Sequence, residues 1–427
     1  MKRVAITGLG VVAPNAVGVP DFKQAIRSGR SGLRFDPELA EKGFNCQVSG
    51  RPQVALDVLQ NRFDELTLRF MKSSGMLYGA LSALEAWQDA GFQVNSRQDA
   101  APLAHAGTVF GTGLAGVEPL RDAIYKLDQG EVRRLGSRVV EQTMASGISA
   151  WVAGLLGLGN HCYTNSSACA TGTEALYLAA ERIQYGKASI MIAGSCDAEG
   201  PYMWGGFDSM KVLNRSSNHE PHKASSPMSA NAAGFIPGAG AAALVLEEYE
   251  HAKARGAHIY AEYLGGAVNA GGQRQGGSMT APNPNAVVLC IQQALADAQV
   301  QANQVNLISG HLTATKGDVL EIQNWTRALN RSGSNFPTIN STKSMIGHCL
   351  GAAGSIELVA LVLEIDGQFA HPSLNTESIH PSILNLIDQS CIPSKTIEFG
   401  GELRVAGKAG FGFGDVNAVV FLGKNRA

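Results

Sequence analysis

The residue whose surroundings best suit covalent chemistry is Cys169, in Asn165-Ser166-Ser167-Ala168-Cys169-Ala170-Thr171-Gly172-Thr173-Glu174-Ala175-Leu176. Leu176, Ala179, Ala180 and Ile183 follow at helical spacing, so Cys169 falls at a loop-to-helix junction. Unpaired N–H groups and the positive end of a helix favour thiolate over thiol there. Small neighbours leave room for a thioester with a long substituent. A free cysteine is ordinarily a small buried hydrophobe, the reading for Cys162, Cys196 and Cys290. Cys169 departs from it because of two histidines downstream. His311 stands in Gly310-His311-Leu312-Thr313-Ala314-Thr315, after the strand-like run Val305–Ser309. His348 stands in Asn340-Ser341-Thr342-Lys343-Ser344-Met345-Ile346-Gly347-His348. One histidine alone would be read as structural; two, each beside Gly, Ser, Thr or Lys, suit a polar site. Gly410-Phe411-Gly412-Phe413-Gly414 sets aromatics among glycines, as a mobile gate with backbone N–H groups near a ligand would.

These residues need rigid elements to gather them. Short β-branched runs alternate with helical patterns: strands at Val4–Thr7, Gly107–Phe110, Ser189–Ala193 and Gly240–Glu247, helices at Thr67–Ala90 and Gly172–Tyr185. A charged helical segment, Glu247–Gly256, leads to a second series. It has strands at Ile259–Tyr263, Val305–Ser309 and Val416–Phe421, with helices at Pro284–Ala298 and Gly354–Glu364. Such alternation predicts an α/β fold with covered sheets. Both halves repeat the same broad order of elements and each carries candidate reactive residues, which points to internal duplication. The boundary is placed near 250–256, dividing a nucleophile-bearing half, 1–254, from a half with the histidines, Lys343 and the gate, 255–427. Gly8-Leu9-Gly10-Val11-Val12-Ala13 mimics a dinucleotide fingerprint, but no confident helix and no acidic strand end follow. A tight strand-to-loop turn is the better reading.

Composition narrows the class. With 427 residues, 45% hydrophobic and 16% charged, the chain can bury a large core. A formal net charge of −2 gives no electrostatic case for nucleic acid. Arg121, Lys126, Arg133 and Arg134 could still offer a local basic patch to an acidic carrier protein; a solvated helix face is the ordinary alternative. Seven scattered cysteines without a CxxC pair argue against a disulfide framework and against zinc. The N-terminus lacks the long apolar stretch of a signal peptide, and no membrane-spanning run is present. A cytoplasmic protein is expected.

Four strings occur in order: Ser-Ala-Cys-Ala-Thr around Cys169, His-x-Thr-x-Thr from His311, Ser-Thr-Lys-x-x-x-Gly-His-x-Leu-Gly-Ala-Ala-Gly from Ser341, and Gly-Phe-Gly-Phe-Gly from Gly410. Together they resemble β-ketoacyl-[acyl-carrier-protein] synthases of the I/II type, nearly end to end. The resemblance implies a thiolase-like five-layered α-β-α-β-α fold of two duplicated halves. It implies Claisen condensation of an acyl-Cys169 thioester with an extender held by an acyl carrier protein. The N–H groups of Cys169 and Phe413 would form the oxyanion hole. His311 and His348 would stabilise the enolate, Lys343 would hold the electrostatic frame, and Glu357 would support Lys343. Thr313 and Thr315 match pantetheine-contacting positions; Leu114, Phe207, Phe411 and Phe413 are assigned to the acyl substrate. No cofactor is implied beyond the carrier's phosphopantetheine. A homodimer is expected, with a heterodimer containing a ketosynthase-like subunit as the alternative.

The chain also departs from the family pattern. The string His-Gly-Thr-Ser-Thr-Pro becomes His311-Leu312-Thr313-Ala314-Thr315-Lys316, and the closing Gly-Thr-Asn becomes Asp415-Val416-Asn417. A segment that carries four charges in the family reads Ser226-Pro227-Met228-Ser229-Ala230-Asn231-Ala232-Ala233-Gly234-Phe235. Rebuilt surroundings around a kept core resemble the specialised-metabolite branch (aryl-polyene, dialkylresorcinol and stilbene-pathway ketosynthases), with housekeeping fatty-acid elongation as the alternative. A thiolase would use a second cysteine as base, a chain-length partner would lack Cys169, and a non-enzymatic acyl-binding protein would not react covalently.

Overall fold

A computed structural model describes residues 1–94 and 99–425. In the first half the principal elements are β1 (Val4–Ala13), α1 (Ser74–Asp89), β2 (Ala106–Thr112), α2 (Val117–Asp128), α3 (Gly147–Leu156), β3 (Cys162–Tyr163), α4 (Thr171–Gln184), β4 (Ile190–Asp197), α5 (Pro201–Ser209) and β5 (Gly240–Glu248). The second half has β6 (Ala261–Ala270), α6 (Pro284–Asp297), β7 (Leu307–Ser309), α7 (Gly317–Leu329), β8 (Thr338–Asn340), α8 (Ala353–Gly367), β9 (Val405–Gly412) and β10 (Val416–Gly423).

Strand pairing reveals the duplication that residue identity hides. In the first half the spatial order is β3-β2-β4-β5-β1; in the second it is β8-β7-β9-β10-β6. Numbered within each half, both read 3-2-4-5-1. The two pairs toward the free edge are parallel and the two toward the junction antiparallel, in both halves. The halves join where β1 meets β6 at Val4–Tyr263, Ala5–Glu262 and Ile6–Ala261.

Side-chain alternation along strands explains the layers. Ala241, Ala243 and Val245 of β5 pack outward in the cluster shared by α1 and α3, while Ala242, Leu244 and Leu246 point inward to α4 and α8. On β10, Val419 and Phe421 face α6 and α7, and Val420 and Leu422 face the same inner layer. Helices α4 and α8 therefore lie between the two halves of the sheet, with α1/α3 and α6/α7 outside: the expected five layers. Helix α8, apolar on nearly every side from Ile356 to Ile365, is buried throughout, as such a helix must be.

Three expectations need correcting. Gly8-Leu9-Gly10 is neither a turn nor a nucleotide loop; β1 runs straight through it. The missing side chains let α1 approach, since a Cβ on Gly10 would stand 2.0 Å from the Ser82 carbonyl oxygen and one on Gly8 2.2 Å from that of Ala86. The helix expected over Thr67–Ala90 is two, Glu65–Phe70 and α1, broken at an extended Met71 and restarted by the Ser73 side chain capping Met76. The expected gate loop is mostly strand: Gly410, Phe411 and Gly412 end β9, and Phe413, Gly414 and Asp415 turn the hairpin into β10. Asp415 accepts from the N–H groups of Gln273 (2.8 Å) and Asn283 (2.7 Å), tying that turn to the neighbouring loop.

Candidate active site

The site lies where the carboxyl ends of strands meet the N-terminal ends of the two central helices, the usual place for ligands in α/β sheets. Cys169 sits in a 3-10 turn, Ala168–Ala170, running directly into α4. Ala168 takes φ 49, a left-handed conformation that makes the turn sharp. The Thr171 hydroxyl staples it, donating to the Ala168 carbonyl and accepting from the Ser167 N–H. In the equivalent place of the other half, the segment ahead of α8 carries Lys343 and His348. His311 follows β7, the counterpart of β2.

The fold brings together groups that the sequence holds 142 and 37 residues apart: Cys169 Sγ and one ring nitrogen each of His311 and His348 all lie within 4.8 Å of one another. The two imidazoles meet edge to face at 5.4 Å between centroids. A metal ion would accept the same donor spacing, although cysteine spacing alone did not suggest one. His348 is set by backbone: its N–H donates to Ile236 O at 2.7 Å, and its Nδ1 accepts from the Leu350 N–H at 3.1 Å. That bond leaves the proton on Nε2. The His311 loop hangs on two buried carboxylates of α7. Glu321 accepts from the N–H groups of His311 and Leu312, both at 2.7 Å. Asp318 accepts from Thr313 (2.8 Å), Ala314 (3.1 Å) and Met228 (2.8 Å). The uncharged segment 226–235 is thus clamped to this loop through backbone, helped by Gly234 N–H to Ala314 O at 3.0 Å.

Electrostatics revise one expectation. Burial pushes the Cys169 thiol up to about 11, against the opposing pulls of Lys343 and the Phe413 N–H. Desolvation outweighs those pulls and favours the thiol, against the thiolate expected from the helix terminus. Burial, aided by Lys343, holds both histidines well below the ordinary imidazole value, hence neutral. Asp197, at the end of β4, is raised by burial to about 6 while accepting from Gly113, Leu114 and Gly351 N–H groups.

Most other predicted residues converge. The Phe413 N–H acts on the Cys169 thiol, and Gly412 passes so close that a Cβ there would stand 3.2 Å from the Cys169 nitrogen. Lys343 is buried against Glu357. The Thr313 and Thr315 hydroxyls are 3.0 Å apart. Phe411 approaches the His311 ring at 6.0 Å; Phe207 lies 6.1 Å from Phe413 and 5.6 Å from Phe235, which packs on His348 at 5.2 Å. Leu114 differs: its backbone is held by Asp197, but its side chain is 43% exposed. Cys162, expected buried, is exposed on the edge strand β3, while Cys196 and Cys290 are buried. In the basic patch, Lys126 and Arg134 are already paired with Asp122 and Glu131. Sequence reasoning missed Lys408 and Glu321. A lysine inside the small, apolar run Val405–Gly412 was the available signal for the first.

A duplicated fold of this kind, with one cysteine and two histidines converging at its centre, is the arrangement that the resemblance to β-ketoacyl synthases implied. Residues 1–252 match the Beta-ketoacyl synthase, N-terminal domain, and residues 260–377 the Beta-ketoacyl synthase, C-terminal domain. The chain belongs to the β-ketoacyl synthase family. It is 36% identical over 428 residues to the chloroplastic 3-oxoacyl-[acyl-carrier-protein] synthase I of Arabidopsis thaliana, covering 98% of this chain and 86% of that protein. It is 34% identical over 431 residues to 3-oxoacyl-[acyl-carrier-protein] synthase 1 of Escherichia coli, covering 99% of both. A β-ketoacyl synthase crystal structure from Burkholderia phymatum aligns over the whole of both chains with TM-score 0.88 and 30% identity. A type II polyketide ketosynthase, solved with its acyl-carrier protein and a hexaketide, aligns with TM-score 0.87 and 31% identity over 99% of this chain and 100% of that one. Among the described residues no helix is long and apolar enough to cross a membrane.

Proposed function

We propose that this chain joins acyl thioesters carried by an acyl carrier protein, in two half-reactions at Cys169. In the first, Sγ attacks the carrier thioester, the C–S bond to pantetheine breaks, and the thiol proton ends on the departing pantetheine thiol. The N–H groups of Cys169 and Phe413 hold the oxyanion, a contribution of about 3–4 kcal/mol per donor in comparable sites. In the second, His311 and His348 bind the extender's thioester carbonyl. With malonyl, the C–C bond electrons released as CO2 departs form an enolate; its carbon attacks the acyl group, and Sγ leaves. Lys343 and Glu357 hold the electrostatic frame, Thr313 and Thr315 meet pantetheine, and Phe207, Phe411, Phe413 and Leu114 meet the acyl chain. No cofactor beyond the carrier's phosphopantetheine takes part. The observation that carries this reading is the convergence of sulfur and two imidazoles within 4.8 Å. Cys169→Ala should abolish acyl-enzyme formation, whereas His311→Ala and His348→Ala should still acylate but not condense. Loss of acylation in either histidine variant contradicts these roles.

The uncharged Ser226–Phe235 segment favours specialised-metabolite condensation, in which a β-ketoacyl extender can react without loss of CO2. The 34–36% identities to 3-oxoacyl synthases favour the second reading, housekeeping elongation with malonyl. Weighing the products from malonyl-carrier and β-ketoacyl-carrier extenders separates them: growth by two carbons from malonyl alone selects the second. A homodimer is supported by the exposed edge strand β3 and by Leu120, Ile124 and Tyr125 exposed on α2 of the nucleophile-bearing half. A ketosynthase-like partner is the alternative occupant of that face. Cytoplasmic residence and carrier docking at the exposed Arg133 complete the reading, Arg121 lying over the Tyr125 ring of the dimer face.

A further inference from the structure

Lys408 lies on β9 and is completely buried. A buried ammonium demands compensation. Its Nζ stands 2.8 Å from Glu357 Oε2 and also donates to the Ala409 carbonyl oxygen. The other Glu357 oxygen meets Lys343. One carboxylate therefore serves two buried lysines; burial pulls the Lys408 ammonium below its ordinary value and Glu357 opposes this, and with both lysines protonated the cluster carries one positive charge more than its negative one. The next carboxylate is a weak counter-charge: both Glu321 oxygens are engaged by backbone N–H groups, and burial raises it to about 7. The Lys343–Glu357 pair alone would fix the local geometry at zero net charge. What the third member adds is field.

Two imidazoles lie near that field: Lys408 stands opposite Ser309 in the β7–β9 pairing, two residues ahead of His311, whose ring meets that of His348. After burial and Lys343, Lys408 is a further cause holding His311 and His348 below their ordinary value. The other charged groups around them are Glu357 on α8, Asp318 and Glu321 on α7, and Asp197 at the end of β4, which acts on Cys169. Neutrality matters structurally at His348. A proton on Nδ1 would face the Leu350 N–H that Nδ1 now accepts, and the ring would lose the bond that aims its Nε2–H.

We propose that Lys408 is a positioning residue of the condensing centre: by sharing Glu357 with Lys343 it places a second positive charge near His311 and His348, which adds to burial and Lys343 in keeping both rings neutral and so keeps the His348 Nε2–H aimed at the extender's carbonyl. This rests on the condensing-enzyme reading. Lys408→Gln removes the charge but keeps a donor for the Ala409 carbonyl oxygen; Lys408→Arg keeps the charge. The experiment measures, on the full-length chain, the pH dependence of condensation between pre-acylated enzyme and a malonyl-carrier thioester. Lys408→Gln should move the acid-side midpoint up by about one pH unit, lowering kcat far more than it changes KM, and Lys408→Arg should return the midpoint to the wild-type position. An unmoved midpoint in Lys408→Gln, or a uniform rate loss at every pH, overturns the proposal. If the Gln variant does not fold, the Arg variant decides: a coincident acid limb supports the proposal and a displaced one overturns it. Wild-type enzyme that takes no acyl group on Cys169 overturns the condensing reading itself, before either variant is compared.

Discussion

Asp318 is the residue whose removal tests most sharply how the histidine loop is held. Its carboxylate accepts from three backbone N–H groups: Thr313 on Oδ1, and Met228 and Ala314 on Oδ2. Hydrogen bonds to a charged acceptor contribute about 1.5–3 kcal/mol each, so Asp318→Ala forfeits about 4.5–9 kcal/mol in gross terms. Two effects return part of it. Burial pushes the carboxylate's pKa up, which shows that its charge is costly there. The space left behind would also admit a water that re-pairs one or two N–H groups. A net loss of about 3–4 kcal/mol remains, large for a single substitution. Asp318→Asn should fall between, since its amide oxygen can keep the Met228 and Ala314 bonds while its NH2 opposes the Thr313 N–H; a loss of about 2 kcal/mol is expected. Urea unfolding of the three proteins gives the stabilities, and condensation by each folded protein gives the consequence. Because His311 leads this loop, a shift of about 1 Å should cost about 100-fold in rate. An Asp318→Ala protein within about 1 kcal/mol of wild type, with full activity, would refute the reasoning.

Three further outcomes follow from the same coordinates. Gly10→Ala forces a Cβ to within 2.0 Å of the Ser82 carbonyl oxygen, so α1 must retreat from β1; a loss of about 3 kcal/mol is expected in thermal unfolding, and an unchanged midpoint contradicts the packing. Because the Cys169 thiol is raised to about 11, its alkylation by iodoacetamide should still climb with pH above 9; a plateau below pH 7 would mean a resting thiolate. Light scattering on the purified chain should return twice the mass of one 44.8 kDa chain, and charged substitutions at Ile124 and Tyr125 should halve it; a monomeric wild type removes the assigned role of that face.

What was legible in the sequence follows burial. Strand β5 was readable to within one residue because Ala241–Leu246 is apolar on both faces, as a strand between two helical layers must be. The nucleophile turn was readable because helical spacing begins just after Cys169. Other features depend on partners remote in the chain. Gly8 and Gly10 look like a turn until α1 is laid across them. Gly410–Gly412 looks like loop because its glycines suggest freedom, yet β10 pairs with it residue for residue. The thiol state of Cys169 could not be read locally, since the helix terminus argues one way and the surrounding burial, which dominates, argues the other. Lys408 was passed over because its role exists only through Glu357, a residue on another element.

The central claim is that one sulfur receives the acyl group, with two imidazoles beside it. Incubating the wild-type protein with an acyl-carrier thioester and mapping the adduct by peptide mass spectrometry reads this directly. The acyl mass should appear on the peptide containing Cys169 and vanish when a reactive extender is added. An adduct on another residue, or one on Cys169 that no extender discharges, would contradict the account.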